Sequence, residues 1–163
     1  MIHRIYNDPA LRSNRVYTVM NSATPARIML SDDHSFVRRG LRNLLESTDQ
    51  YEICGEASDG NQTLELARAL RPDIVILDIS MPSPNGLEVA RQLHESLPEI
   101  KVLVLTMHDS AEMLRAAVAA GASGYLLKSD DEKLLINALQ CLRTGRHFVS
   151  PSFDAGLARQ LFQ

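Results

Sequence analysis

No apolar run in these 163 residues approaches the roughly 20 needed to cross a bilayer. The opening Met1-Ile2-His3-Arg4-Ile5-Tyr6-Asn7-Asp8-Pro9 lacks the apolar centre of a secretion signal. Cysteine is scarce: only Cys54 and Cys141 are present, each inside an apolar-patterned segment. They read as small core residues rather than a disulfide or a metal pair. These absences point to a reduced, cytoplasmic protein that does not associate with membranes. There is also no excess of positive charge. With 17 Lys and Arg against 20 Asp and Glu, the formal net charge is -3, which gives no electrostatic pull toward nucleic acid or an anionic membrane. Internal repeats and low-complexity tracts are absent as well.

What is present centres on Ile74-Val75-Ile76-Leu77-Asp78-Ile79-Ser80-Met81-Pro82. Four apolar, mostly β-branched residues run straight into a carboxylate. Such a run predicts a short strand buried on both faces, as in a parallel sheet. Pro82 ends it, since proline has no N–H for a ladder. Asp78 is thereby placed at the carboxyl end of a central strand, the edge where open α/β sheets bind ligands. A carboxylate there serves as a metal ligand, a nucleophile or a capped structural residue.

The remaining chain repeats the pattern. Residues 1–25 are polar and unperiodic and read as a disordered extension. Arg27–Ser31 is a strand that runs into Asp32-Asp33-His34, and Val37, Leu41, Leu44 and Leu45 follow on one helical face. Tyr51–Ala57 is a second strand interrupted by Gly55, and Ser58-Asp59-Gly60 reads as a turn. A helix with Leu64, Ala67 and Leu70 closes at Pro72. After the strand at 74–77, Ser83–Gly86 is a loop and Leu87, Ala90, Leu93 and Leu97 mark a third helix. Lys101–Leu105 is a fourth strand ending at Thr106. Met113, Leu114, Ala117 and Val118 mark the next helix, with Gly121 as its C-cap. Gly124–Leu127 is a fifth strand ending at Lys128. Ser129, Asp130 or Asp131 caps a last helix carrying Leu135, Ala138, Leu139 and Leu142. Phe153, Leu157 and Leu161 start a further helical pattern. Five βα units with short connections require right-handed crossovers, hence a doubly wound parallel sheet.

In such a sheet every strand points the same way, so the residues after each strand gather on one edge: Asp32 and Asp33, Asp78, Thr106 and Lys128. Three carboxylates in one cleft repel one another unless a proton or a cation intervenes. Oxygen donors with open positions suit Mg²⁺, or the similar Mn²⁺. Cation, ammonium and the Thr106 hydroxyl together would hold the oxygens of a phosphoryl group at Asp78. Phosphoryl transfer asks mainly for positioning and charge neutralisation, and a carboxylate can accept the group as an aspartyl phosphate. Each residue also has a plainer reading. Asp32 and Asp33 would cap the following helix, Lys128 would be solvated, Thr106 would satisfy backbone at a strand end, and Tyr125 would be half-buried packing. His34 and His108 read as lying outside the ligand set, and Gly86 as a residue required by backbone geometry.

The combination of Asp32-Asp33, Asp78-Ile79-Ser80-Met81-Pro82, Asn85-Gly86, Thr106 and Gly124-Tyr125-Leu126-Leu127-Lys128 resembles the receiver domain of two-component response regulators. The resemblance covers residues 26–148. His108-Asp109, Ala120–Tyr125 and Gly145–Pro151 are most similar to the NarL/FixJ (LuxR-type) branch. It implies a flavodoxin-like, CheY-like (βα)5 fold with strand order 2-1-3-4-5. It implies that Asp78 accepts phosphate from a sensor histidine kinase or a phosphotransfer protein. Asp33 would bind the metal directly, Asp32 through water, and Asp78 together with the Ser80 backbone carbonyl would complete the ligands. Thr106 and Lys128 would grip the phosphoryl oxygens. Thr106 and Tyr125 would form a switch acting on the surface of the fourth helix, fifth strand and fifth helix, where a homodimer could form on phosphorylation. Ser80 and His108 would tune phosphate lifetime. Such a domain is a phosphoacceptor rather than an enzyme in the ordinary sense, with only autophosphorylation from small acyl phosphates and slow autodephosphorylation.

Two other functions compete. An aspartyl phosphatase of the haloacid dehalogenase kind needs a second Asp two residues after the nucleophile, and Ser80 stands there. A receiver-like module that binds proteins independently of phosphate, or stands alone, is the alternative reading, although such modules usually lack one of the acidic or lysine positions kept here. Residues 149–163 read as the start of a linker to a C-terminal output domain outside this chain, and any DNA binding would belong to that domain.

Overall fold

A computed structural model describes residues 24–163. The expected extension at 1–25 therefore lies almost wholly outside the described residues. Strands β1 (Ala26–Ser31), β2 (Tyr51–Ala57), β3 (Ile74–Leu77), β4 (Lys101–Thr106), β5 (Gly124–Leu127) and β6 (Phe148–Val149) alternate with helices. These are α1 (Ser35–Glu46), α2 (Gly60–Leu70), α3 (Gly86–Ser96), α4 (Ala111–Ala119), α5 (Glu132–Arg143) and α6 (Ala155–Leu161). All strand pairs are parallel, in the order β2-β1-β3-β4-β5-β6.

The doubly wound architecture expected from the sequence is present, with one addition. Phe148–Val149 pairs with Gly124–Tyr125 as a sixth strand, extended by a bond from the Ser150 N–H to the Tyr125 carbonyl (2.8 Å). Two residues carry too little alternation to be read as a strand. The segment beyond it, read as the start of a linker, folds back: Val149, Phe153, Leu157 and Leu161 pack against the core. Gly60, read as part of a turn, is the first residue of α2, and Asp59 caps that helix by accepting from the Gln62 N–H. Asp131 is the cap of α5.

Side-chain alternation along the strands divides the interior in two. Met29, Val75, Leu77, Val102, Val104, Tyr125 and Leu127 face α2, α3 and α4. Ile28, Leu30, Ile74, Ile76, Leu103, Leu105 and Leu126 face α1 and α5. The central strands are thus covered on both sides, which is why they read as unbroken apolar runs. Each fully buried aliphatic side chain contributes about 1.5–3 kcal/mol relative to exposure. That anchoring makes the sheet edge a rigid platform for the polar residues that follow each strand.

Gly86 shows how tightly the loop after β3 is folded. A methyl group there would run into the Ile79 Cα and stand 2.6 Å from the Asp78 carbonyl oxygen. The Gly86 N–H donates to the Ile79 carbonyl (3.3 Å), and Asn85 caps α3 through the Glu88 N–H (3.0 Å). The loop therefore returns directly behind Asp78. Gly86→Ala should lower the unfolding free energy by about 1–3 kcal/mol through overpacking against backbone. A urea melt with an unchanged midpoint would show that the loop has room to spare.

Candidate functional site

Each strand ends on a polar residue at the same edge. In the β1–β3 and β3–β4 ladders Ser31 lies beside Leu77 and Leu77 beside Val104, so Asp32 and Asp78 emerge as neighbours. The Asp78 N–H donates to the Ser31 carbonyl (2.8 Å), which continues the ladder up to the carboxylate itself. Two strands away, the Lys128 N–H donates to the Thr106 carbonyl (2.8 Å) and fixes the root of the lysine stem. The Asp130 carboxylate accepts from the Leu127 N–H (2.9 Å) and bends the chain away after Lys128.

From that root the ammonium reaches over β4 and sits between two carboxylates, 2.7 Å from Asp32 Oδ2 and 3.1 Å from Asp78 Oδ2. Both acids are almost fully buried, at 3% and 2% exposure. Burial alone would lower the Lys128 pKa, but hydrogen bonds and attraction from Asp32 and Asp78 outweigh it and hold the value above the ordinary lysine range. Lys128 is therefore charged at neutral pH.

Asp78 Oδ1 accepts the Ser80 N–H (3.0 Å). Asp32 Oδ1 accepts the His34 N–H (2.8 Å), and Arg38 holds the Asp32 carbonyl (2.6 Å). The N-cap residue of α1 is His34, with no side-chain capping bond, so neither acid caps the helix. Asp33 is the more exposed acid. The His34 Nδ1 lies 3.1 Å from Asp32 Oδ1 and 3.1 Å from Asp33 Oδ1. Donor atoms of Asp32, Asp33, His34 and Asp78 all lie within 4.8 Å of one another. Three carboxylates against one ammonium leave an excess of negative charge in a mostly oxygen donor set, which fits a hard divalent cation with some positions left to water.

Thr106 is fully buried at the end of β4, and its Oγ1 accepts the His108 N–H (3.2 Å). His108 also meets Ser80, Nε2 to Oγ at 3.0 Å. Tyr125 stands apart from the acid cluster. Its ring is fully buried on the α4 side of the sheet, and its phenol donates to the His108 carbonyl (2.7 Å). The structure thus gathers Asp32, Asp33, Asp78 and Lys128 into one pocket, with Thr106, Ser80 and His108 at its β4 side and Tyr125 behind. Sequence reasoning left His34 outside the ligand set, yet its ring lies among the acids. Its direct adjacency to Asp33 was the available signal. The Ser80–His108 bond joins residues 28 positions apart, and no local pattern announces it.

Burial, aided by the nearby Asp109 charge, pushes the Tyr125 phenol up to about 12. A raised pKa means that the stabilisation is whole below the unfolded value near 10 and is lost as pH climbs to the folded one. Two units correspond to roughly 2–3 kcal/mol. In alkaline titrations followed by tyrosinate absorbance, the component that disappears in Tyr125→Phe should be the one near 12. A component near 10 would show that the ring meets solvent.

A family model described as the response regulator receiver domain matches residues 28–140. The chain is 36% identical over 142 residues to the nitrate/nitrite response regulator protein NarL of Escherichia coli, covering 87% of this chain and 66% of that protein. It is 34% identical over 134 residues to the transcriptional regulatory protein DegU of Brevibacillus brevis, covering 82% and 57%. The chain therefore spans roughly three-fifths of the length of such relatives. Among solved structures, a LuxR-family two-component response regulator from Aurantimonas superposes with a TM-score of 0.78 at 37% identity, covering 85% of this chain and 99% of that one. The receiver domain of RcsB from Salmonella enterica with phosphomimetic BeF3⁻ superposes at 0.74 with 26% identity, covering 83% and 97%.

Proposed function

The chain belongs to the response regulator receiver family, and on that premise we propose that Asp78 is its phosphoacceptor. The observation that carries this reading is the Lys128 ammonium shared between Asp32 and Asp78 at the sheet edge. A carboxylate oxygen of Asp78 attacks the phosphorus of a phosphohistidine. The new P–O bond forms as the P–N bond breaks, and the imidazole leaves with the electron pair and takes a proton. The donor is a sensor histidine kinase or a phosphotransfer protein, and a small acyl phosphate can replace it. Water later attacks the same phosphorus, the P–O bond to Asp78 breaks, and inorganic phosphate leaves with the carboxylate restored.

Asp33, Asp78 and the Ser80 carbonyl would hold Mg²⁺ or Mn²⁺, with Asp32 acting through water. This division is the one the family resemblance implies, and exposure fits it for the two adjacent acids: Asp33 is the more exposed, whereas Asp32 is buried with Oδ2 on Lys128 and Oδ1 on the His34 N–H. When bound, the cation neutralises charge on the arriving phosphoryl oxygens. Lys128 would follow a phosphoryl oxygen at Asp78, and Thr106 would donate to another once its hydroxyl turns. Ser80 and His108, bonded to each other over the same side of the pocket, would govern the approach of water.

By likeness to these relatives, the output would lie in a region outside this chain. NarL and DegU are named as a response regulator and a transcriptional regulatory protein, and an RcsB response regulator is known in complex with DNA. Transcriptional control through a DNA-binding region outside this chain, with phosphorylation favouring a homodimer, is the function this receiver would serve. Among the described residues no helix is long and apolar enough to cross a membrane.

Asp78→Asn should abolish hydroxylamine-sensitive labelling by acetyl phosphate and Mg²⁺. Retained labelling in the variant would move the acceptor elsewhere, and a wild-type chain that never labels would favour a phosphate-independent interaction module. Separately, Asp33→Ala should weaken Mg²⁺ binding more than Asp32→Ala in calorimetric titrations. Equal or reversed losses would overturn the assignment of direct and water-mediated ligands.

A further inference from the structure

The segment after β5 does more than extend the sheet. Val149 pairs with Tyr125, the Ser150 N–H bonds the Tyr125 carbonyl, and the Ser150 side chain accepts the Ser152 N–H (3.3 Å). This turn carries the Phe153 ring to Tyr125, edge to face, with centroids 5.5 Å apart and planes at 83°. Beyond it, Asp154 caps α6 through the Leu157 N–H (2.9 Å), and Phe162 stacks on His147 (4.2 Å, 15°), tying the end of the segment back to the start of β6. The segment is anchored at both ends, with Phe153 between them.

Tyr125 is also one end of a chain of bonds that runs to Asp78. Its phenol holds the His108 carbonyl (2.7 Å). The His108 N–H holds Thr106 Oγ1 (3.2 Å), and its ring holds Ser80 Oγ (3.0 Å). The Ser80 N–H holds Asp78 Oδ1 (3.0 Å). We propose that Phe153 is a positioning residue for the phosphoacceptor site: by covering the Tyr125 ring it keeps the phenol on His108, and so sets where Thr106 and Ser80 stand around Asp78. The C-terminal segment is then a part of the phosphorylation machinery, and its docking and phosphoryl capture favour each other. By linkage, whatever factor the segment adds to capture, capture adds to its docking. This inference rests on the phosphoacceptor reading for its effect on capture, though not for the coupling itself.

The test uses the whole 163-residue chain. Phe153→Leu keeps apolar volume and removes the ring edge, while Phe153→Tyr keeps the ring. An aromatic edge contact converts to about two- to tenfold in an equilibrium. The acetyl phosphate concentration for half-labelling should rise by that factor in Phe153→Leu and return in Phe153→Tyr. In a Tyr125→Phe background, which keeps the ring but cuts the bond to His108, Phe153→Leu should have no further effect. In NMR spectra recorded with no phosphoryl donor, Phe153→Leu should shift the amides of Thr106, His108 and Ser80. Shifts confined to the neighbours of residues 125 and 153 overturn the proposal, as does an additive loss in the double variant. A wild-type chain that takes up no phosphate defeats the phosphoacceptor reading instead, and the spectra still decide the coupling.

Discussion

The ammonium of Lys128 is the interaction on which this architecture turns. Asp32 and Asp78 are both nearly inaccessible to water and stand on neighbouring strands. Two buried carboxylates side by side cannot both stay ionised without a positive partner. The partner comes from β5, which is separated from β3 by β4. Strands lie about 4.8 Å apart, so the charge has to cross nearly twice that distance above Thr106. A flexible four-carbon stem ending in a compact point charge does this, and a short basic side chain would not. The strand order is therefore a requirement of the site.

The same pocket is unfinished as a set of charges. One ammonium does not balance Asp32, Asp33 and Asp78, and the remainder falls toward the open side, where Asp33 lies partly exposed. The His34 ring occupies that side between two carboxylate oxygens. Stability alone would favour closing such a gap with a second fixed cation. An open, anionic, oxygen-lined recess beside a buried lysine instead suits the proposed divalent cation, which would supply the missing charge from solution.

How much of this could be read beforehand depended on whether the signal was local. Ile74–Leu77 runs apolar into Asp78 because the strand is buried on both faces, and Lys101–Thr106 and Gly124–Lys128 repeat the form. Parallel topology put Asp32, Asp33, Asp78 and Lys128 on one edge, and the convergence of the acids needed β1 beside β3, which is the order found. Other features are set by distant contacts. Phe148–Val149 becomes a strand only because β5 offers a free edge, and Gly60 starts a helix where a Ser-Asp-Gly turn was the natural local reading. The bond between Ser80 and His108, and the place of His34 among the acids, depend on side-chain directions that no spacing encodes.

The two faces of the sheet differ in how firmly they are covered near the site. Of the helices on the Tyr125 side, α2 and α3 each bury four residues against the sheet, while the nine-residue α4 buries only Leu114 and Ala117. Few buried contacts mean a lower free energy for local displacement, so α4 is held less firmly than α2 and α3. Tyr125 lies under that weakly held helix. Its complete burial therefore needs cover from elsewhere, and Phe153, held by β6 and α6, supplies it. A rigid sheet edge next to a thinly covered flank would allow the proposed phosphorylation of Asp78 to be felt at a surface without disturbing the core that positions it.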